Sequence, residues 1–166
     1  LTGGQYLDIG FEDRDDVSVD DYLVMIEGKT AALVACSCQM GALIAGAPTA
    51  RCETLRDFGR HLGLTFQMRD DILGIWGDPA VTGKPAGADI ARRKKSLPIL
   101  HGLSQSEELR GLLSQDTLAV ADVVHATELL EQAGSREYTA QLAQEHHTAA
   151  LAALEDQGAH GAAFAK

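Results

Sequence analysis

Asp70 and Asp71 are neighbouring carboxylates inside an apolar run, TFQMRDDILGIW at 65–76. Gln67 precedes them at helical spacing, so Gln67, Asp70 and Asp71 share one helix face. Phe66, Met68, Ile72, Leu73, Ile75 and Trp76 cover nearly every other direction. A helix apolar most of the way round is a buried helix. An ionised carboxylate there needs a partner, because burying it alone is costly. A hard cation such as Mg²⁺ is a natural one: it binds through one or two carboxylates together with substrate phosphates and water. The plain alternative is a solvated pair of acids beside Arg69 on an exposed stripe. The apolar flanks and the cations that follow favour the metal.

Those cations come in sequence. Lys84 lies in VTGKPAGAD, between glycines that let backbone approach a ligand closely. A lysine on such a loop can close over an anion as a point charge. The stretch is not a P-loop, since Asp78 and Pro85 stand where GxxxxGK[ST] needs Gly and Ser or Thr. Arg92 to Lys95 form a basic run directly before Ser96, Leu97 and Pro98. Such a run is ordinarily a solvated face, but the helix start beside it can turn one or two side chains inward. Lys29 and Thr30 sit within an apolar helix, where a lysine ordinarily snorkels to the surface. If that helix packs on the one bearing Asp70, then Lys29, Lys84 and a metal at Asp70 converge on one diphosphate.

Other chemistry-bearing residues carry less. His146 and His147 diverge by about 100° on a helix and make a poor metal pair. Asp15, Asp16, Asp20 and Asp21 fall at a predicted helix start, where acids suit the dipole. Cys36 and Cys38 lie about 200° apart on a helix, so they cannot share a metal. With Cys52 they read as small core residues of a reducing compartment, which makes the expected location cytoplasmic.

The elements that must position these groups are helices. Residues 1–17 read as an acidic lead-in that opens with a turn-like LTGGQ. Ser18 and Asp21 form a capping pair that starts a helix over about 19–46, ended by Gly46 and Pro48. Thr49 caps the next helix, which runs to Trp76 and is roughly 40 Å long. Residues 78–89, with Gly83, Pro85 and Gly87, read as a mobile loop. A short helix follows at 96–103, with Pro98 in its first turn. Ser104 with Glu107 opens another helix to Leu113. A further amphipathic helix spans 117–133, and Ser135 caps a last one to about Gln157. On it Tyr138, Leu142, Ala149 and Ala153 lie on or near one face. Gly158 to Lys166 are expected to fray.

Composition agrees with that outline. The chain has 166 residues, enough for one all-α domain over 1–166 with a real core. Apolar residues make up 45% and aromatics only 5%, which favours helix over sheet. A net charge of −10 argues against nucleic acid as a partner. No run of about 18 apolar residues is evident, so no membrane span is expected. The chain opens on Leu1 with no signal peptide pattern, and an upstream portion of the protein is expected.

Taken in order, these segments resemble the C-terminal half of the trans-isoprenyl diphosphate synthases, the polyprenyl synthetase family. The resemblance rests on GGQYLDIGFE at 3–12, EGKTAAL at 27–33, FQMRDDILGIWGD at 66–78, GKPAGAD at 83–89 and RRKKSLP at 92–98. It covers nearly all of residues 3–115, and the last 50 residues match only as generic helices. It implies the C-terminal part of an isoprenoid-synthase-type helical bundle. The implied activity is an Mg²⁺-dependent prenyltransferase that joins an allylic diphosphate to isopentenyl diphosphate, head to tail, making a product of farnesyl or geranylgeranyl type. By family role Asp70 ligates Mg²⁺ and Asp71 supports it in or near the first shell. Lys29 and Lys84 contact the allylic diphosphate, and Lys94 holds its phosphate end. Thr30 and Gln67 stabilise the carbocation or orient the substrate. The family also implies a homodimer, or association with the N-terminal half.

Two departures from the family stand out. Its second aspartate-rich motif is DDxxD, and here the last position is Gly74. Its other aspartate-rich motif belongs to the upstream half, and nothing in this chain matches it, so the chain alone is expected to be inactive. A class I terpene cyclase and a non-catalytic partner subunit are the competing readings.

Overall fold

The computed structural model describes residues 2–12, 14 and 16–155. Ten α-helices and one π-helical turn make up their regular structure, with no strand among the described residues. In chain order they are α1 (Thr2–Glu12), α2 (Val19–Ile26), the π turn (Glu27–Ala31), α3 (Ala32–Ile44), α4 (Thr49–Trp76), α5 (Pro79–Thr82), α6 (Ala88–Ala91), α7 (Leu97–Gln105), α8 (Glu107–Leu113), α9 (Val120–Gln132) and α10 (Ser135–Glu155). The all-α expectation holds.

The described residues gather into two compact units. One takes the described residues within 2–8, 23–67 and 142–155, the other those within 9–22 and 68–141. In the first unit helices approach at backbone distance through small residues. A Cβ at Gly4 would lie 2.2 Å from the Lys29 nitrogen and 2.4 Å from the Gly28 carbonyl carbon. A Cβ at Gly63 would lie 2.6 Å from the Ala31 Cα. No side chain larger than hydrogen fits at either position. The second unit has an aliphatic core of Ile75, Ile90, Ile99, Leu109, Ala126, Leu129 and Leu130, flanked by Trp76, Leu103 and Val123.

Several local expectations change on contact with the structure. Of the LTGGQ opening, the described residues from Thr2 onward are helix, not turn. Glycine there serves close packing against the π turn, which overrides its low helix propensity. Ser18 and Asp21 do form the reciprocal cap: Asp21 N donates to Ser18 Oγ at 3.1 Å, and Ser18 N donates to Asp21 Oδ2 at 3.1 Å. Thr49 is already helical, and the Pro48 carbonyl starts the ladder by accepting from Arg51 and Cys52. The 78–89 segment contains helical turns rather than loop throughout, and Asp78 accepts from Ala80 N as the cap of α5. Ser106, not Ser104, caps α8 by accepting from Leu109 N. Ser104 instead donates back to the His101 carbonyl.

On α10 the buried stripe is Ser135, Thr139, Ala143, Ala150 and Leu154. It is displaced by one residue from the face through Tyr138, Leu142, Ala149 and Ala153. An alanine-rich helix carries too little hydrophobic contrast to fix its own rotation. Of the cysteines only Cys52 is in the core, while Cys36 is exposed and Cys38 half-buried. The fraying expected for 158–166 lies outside the described residues. The continuous stretch Val19–Ile44 is long and apolar enough to cross a bilayer by length and composition. Within it Glu27 and Lys29 are ion-paired to Arg60 and Asp8.

Candidate functional site

The two aspartates have different surroundings. Helix α4 buries Leu64, Met68, Asp71 and Ile75 along one stripe. The adjacent line of Gln67, Asp70 and Gly74 is half-buried. Phe66 and Leu73 are exposed, at 64% and 51%. The helix is therefore apolar on both sides of the acids but buried on only one.

Asp71 is fully buried, at 0% exposure, and both its oxygens are engaged. Oδ2 accepts from the Tyr22 hydroxyl at 2.5 Å and from Leu97 N at 3.0 Å. Oδ1 accepts from Lys94 Nζ at 3.0 Å. The Leu97 amide is one of the first amides of α7, where the helix dipole favours an anion. Tyr22, Lys94 and the start of α7 thus converge on one carboxylate. These bonds engage both oxygens of Asp71 and fix this turn of α4.

Asp70 makes no hydrogen bond or ion pair among the described residues. Its carboxylate is half-buried and open, on a helix turn that Asp71 pins.

Lys94 reaches Asp71 because the chain folds back sharply before α7. Lys94 N donates to the Asp89 carbonyl at 3.0 Å and Arg93 N to the Ile90 carbonyl at 2.9 Å, with Arg93 at φ 52°. That is the Schellman pattern, with an arginine in the left-handed position that glycine usually takes. The Arg93 guanidinium donates to the Gln115 carbonyl, which helps to hold the turn. Lys94 Nζ also pairs with Asp89 Oδ2 at 3.1 Å. Burial pulls the ammonium toward neutrality, but Asp71 and Asp89 outweigh it and raise its pKa. Its side chain keeps 33% exposure. Two of its N–H groups are taken, and one remains for a third acceptor.

Gly74 explains how Asp89 is seated. A Cβ at position 74 would lie 2.3 Å from Asp89 Oδ2 and 2.5 Å from its Cγ. Asp89 fills the space that a side chain at 74 would need, and it is itself buried. Asp89 ends the GKPAGAD segment but its partner is not legible there, and nothing in the sequence marks Tyr22, because each meets its partners only through the tertiary fold.

Lys84 is exposed, between Gly83 at φ 68° and Gly87 at φ 71°. Its backbone is tied to Thr82, whose hydroxyl accepts from Lys84 N at 3.3 Å. Its ammonium has no partner among the described residues.

In the first unit, Lys29 and Thr30 lie on the π turn. Lys29 Nζ pairs with Asp8 Oδ2 at 2.5 Å. Thr30 donates through Oγ1 to Gln67 Oε1 at 2.9 Å, so these two expected site residues do meet. A π-helical turn widens the helix locally and recurs at functional sites. Here Glu27 secures it through a two-point bond to Arg60 at 2.5 and 2.8 Å. Next to Arg60, His61 Nδ1 lies 2.9 Å from His146 Nδ1. Burial lowers the pKa of both imidazoles, and the Arg60 charge lowers them further.

Among the described residues no group of three His, Cys, Asp or Glu side chains could hold a metal alone, so a hard divalent cation here would share its shell with substrate oxygens and water. Asp70 offers open oxygens, while Asp71 and Asp89 set two carboxylates against the single ammonium of Lys94 and leave negative charge in surplus. The oxygens of Asp70 are open, while those of Asp71 are engaged by Tyr22, Leu97 N and Lys94.

Comparison with known proteins places these features in a common frame. The Polyprenyl synthetase family profile matches residues 1–130. Geranylgeranyl diphosphate synthase of Mycobacterium tuberculosis is 48% identical over 94% of this chain and 46% of its own length. The crystal structure of a polyprenyl synthetase from Streptomyces coelicolor superposes with a TM-score of 0.86 at 42% identity, over 93% of this chain and 49% of that one. A geranylgeranyl pyrophosphate synthase from Corynebacterium glutamicum, complexed with isoprenyl diphosphate and magnesium, gives a TM-score of 0.86 at 34% identity, over 94% and 46%. The chain spans about half the length of the relatives it matches.

Proposed function

The chain belongs to the polyprenyl synthetase family, and on that premise we propose that the protein containing it is a prenyltransferase. It joins an allylic diphosphate to isopentenyl diphosphate, head to tail, and releases diphosphate. The observation that carries this reading is the division of labour at α4: an open Asp70 on a turn held rigid by a fully bonded Asp71.

Asp70 holds Mg²⁺, and the ion, when bound, neutralises the diphosphate as a leaving group. Lys84, exposed between its two left-handed glycines, closes on phosphate oxygens as a mobile point charge. Lys94 offers its remaining N–H from a fixed direction. Lys29 exchanges Asp8 for a diphosphate oxygen, which a part-exposed ion pair permits at small cost. The Thr30–Gln67 pair presents oxygens that favour an allylic cation by their dipoles. The product is of the short-chain class, the working form is a homodimer or an assembly with the N-terminal half, and the location is the cytoplasm.

Incubation of the full-length protein with an allylic diphosphate, radiolabelled isopentenyl diphosphate and Mg²⁺ tests the proposal. Label in an elongated diphosphate, lost on chelation with EDTA, is the expected result. A cyclic hydrocarbon formed without isopentenyl diphosphate would identify a terpene cyclase instead. No product with either mixture would leave a non-catalytic partner subunit.

A further inference from the structure

We propose that His61 and His146 form a proton-operated latch that holds the C-terminal part of α10 on α4 while the two rings share one proton along the line between their Nδ1 atoms, and that releases it when both of those atoms are protonated. The inference goes beyond the prenyltransferase reading and does not rest on it. Both histidines lie outside the segments on which the family resemblance rests. His61, on α4, and residues 142–155 of α10 belong to the first unit.

The two Nδ1 atoms are 2.9 Å apart, a hydrogen-bond distance, and the ring centroids are 5.1 Å apart. Two neutral imidazoles can make that bond: one ring donates its Nδ1–H and the other accepts on a bare Nδ1. A proton added at the donor's Nε2 leaves the bond in place and makes it charge-assisted. A proton added at the accepting Nδ1 sets two N–H groups and two positive charges against each other, and the bond is gone. The pair therefore titrates as a unit, in which the first proton is accommodated and the second resisted. Burial opposes charge on both half-buried rings, the His61 ring opposes it on His146, and Arg60 opposes it on both. Asp57 on α4, Glu27 on the π turn and Glu145 on α10 favour it. Helix α3, which meets α4 at Gly59, carries no charged side chain, and burial raises the pKa of its Cys38 thiol, keeping it neutral. The latch is thus closed at neutral pH and opens on acidification below the ordinary imidazole value of 6.5.

The rest of the interface makes this bond matter. The buried residues of α10 between 142 and 155 are Ala143, Ala150 and Leu154. Two of the three are alanines, which bury little apolar area. Thr65 on α4 reaches the Ala143 carbonyl at 3.4 Å, but its hydroxyl has one hydrogen and a nearer acceptor, the His61 carbonyl at 2.9 Å. Loss of the histidine bond should therefore show as local opening of this stretch rather than as global unfolding.

Hydrogen–deuterium exchange of the full-length protein at about pH 7.5 and about pH 5, corrected for intrinsic exchange chemistry, tests the latch. Peptides covering 142–155 report it. Peptides covering Ala32–Ile44 of α3, which has no histidine or carboxylate, serve as the reference. The 142–155 peptides should exchange about tenfold faster at the lower pH, the equivalent of one hydrogen bond, while the α3 peptides keep their protection. Return to neutral pH should restore the protection. The double variant His61→Asn/His146→Asn puts amides in place of the rings. They can still bond to each other but do not titrate, so the pH dependence should disappear.

Equal wild-type protection over 142–155 at the two pH values would overturn the proposal. So would a loss of protection shared equally by α3, which is general acid loosening. The same pH response in a folded double variant would assign the effect to other groups. Should that variant fail to fold, the wild-type comparison and an NMR titration of the two rings still decide: two independent curves at ordinary imidazole values would rule out the shared proton.

Discussion

Each unit contains a lysine–aspartate pair, and the pairs are built for opposite purposes. Lys29 and Asp8 lie 2.5 Å apart with side chains 30% and 26% exposed, and neither is bonded to anything else among the described residues. Lys94 and Asp71 lie 3.0 Å apart, but Asp71 is wholly buried and carries two further donors. The first pair can open to solvent or to an anion with little loss. The second cannot open without stranding a carboxylate in the interior. The units also differ in how they close. The first relies on backbone contact at Gly4 and Gly63, the second on an aliphatic core crossed by one charged network. Burial and the number of donors, more than the identity of the pair, decide whether a charge is fixed or available.

That contrast can be broken experimentally. Asp71→Asn removes a buried charge from Lys94 and should cost about 3–5 kcal/mol of unfolding free energy. The neighbouring Asp70→Asn should leave stability within about 0.5 kcal/mol and abolish most turnover. Denaturant unfolding and product assays on both variants separate the two roles. Equal destabilisation would erase the distinction between the acids.

A smaller effect belongs to the first unit alone. The pKa values of His61 and His146 are held below their ordinary value of 6.5, so the unfolded chain binds more protons as pH falls through that value. Stability should therefore decline on acidification from about pH 7.5 to about pH 5.5. Asp57, Glu27 and Glu145 act on the pair in the opposite sense, each favouring the charged imidazole. His146→Gln should flatten the slope of melting temperature against pH, and an unchanged slope would remove the histidines as its source. The smallest effect is expected for Asp8→Ala. It should cost at most about 1 kcal/mol, screened further by salt. A loss as large as that of Asp71→Asn would mean the two ion pairs are equivalent after all.

Much of this was readable in one dimension, for reasons that differ by residue. The Ser18–Asp21 cap and the length of α4 follow from local chemistry, and both appear where the spacing put them. The Thr30–Gln67 bond joins two residues singled out by motif. Asp89 was visible only as the end of the GKPAGAD segment, without its partner, and Tyr22 gave no signal, since a lone Tyr in a helix is unremarkable. Ser104 and Ser106 compete as caps within three residues, and local rules cannot choose between them. Arg93 in a left-handed turn is hidden because helix-end patterns look for glycine there.

The sequence by itself determined the helical class, the family, and the cluster of acids and lysines from which a diphosphate site would be made. The class and the cluster depend on composition, period and spacing, which are properties of neighbours along the chain, and the family on the resemblance of whole segments. Only the tertiary structure decided that Asp71 is anchored while Asp70 stands open, and that a carboxylate from the start of α6 occupies the place left by Gly74. Adjacent residues on a helix point about 100° apart. Which of them meets the core is settled by what packs against it, and that information lies elsewhere in the chain.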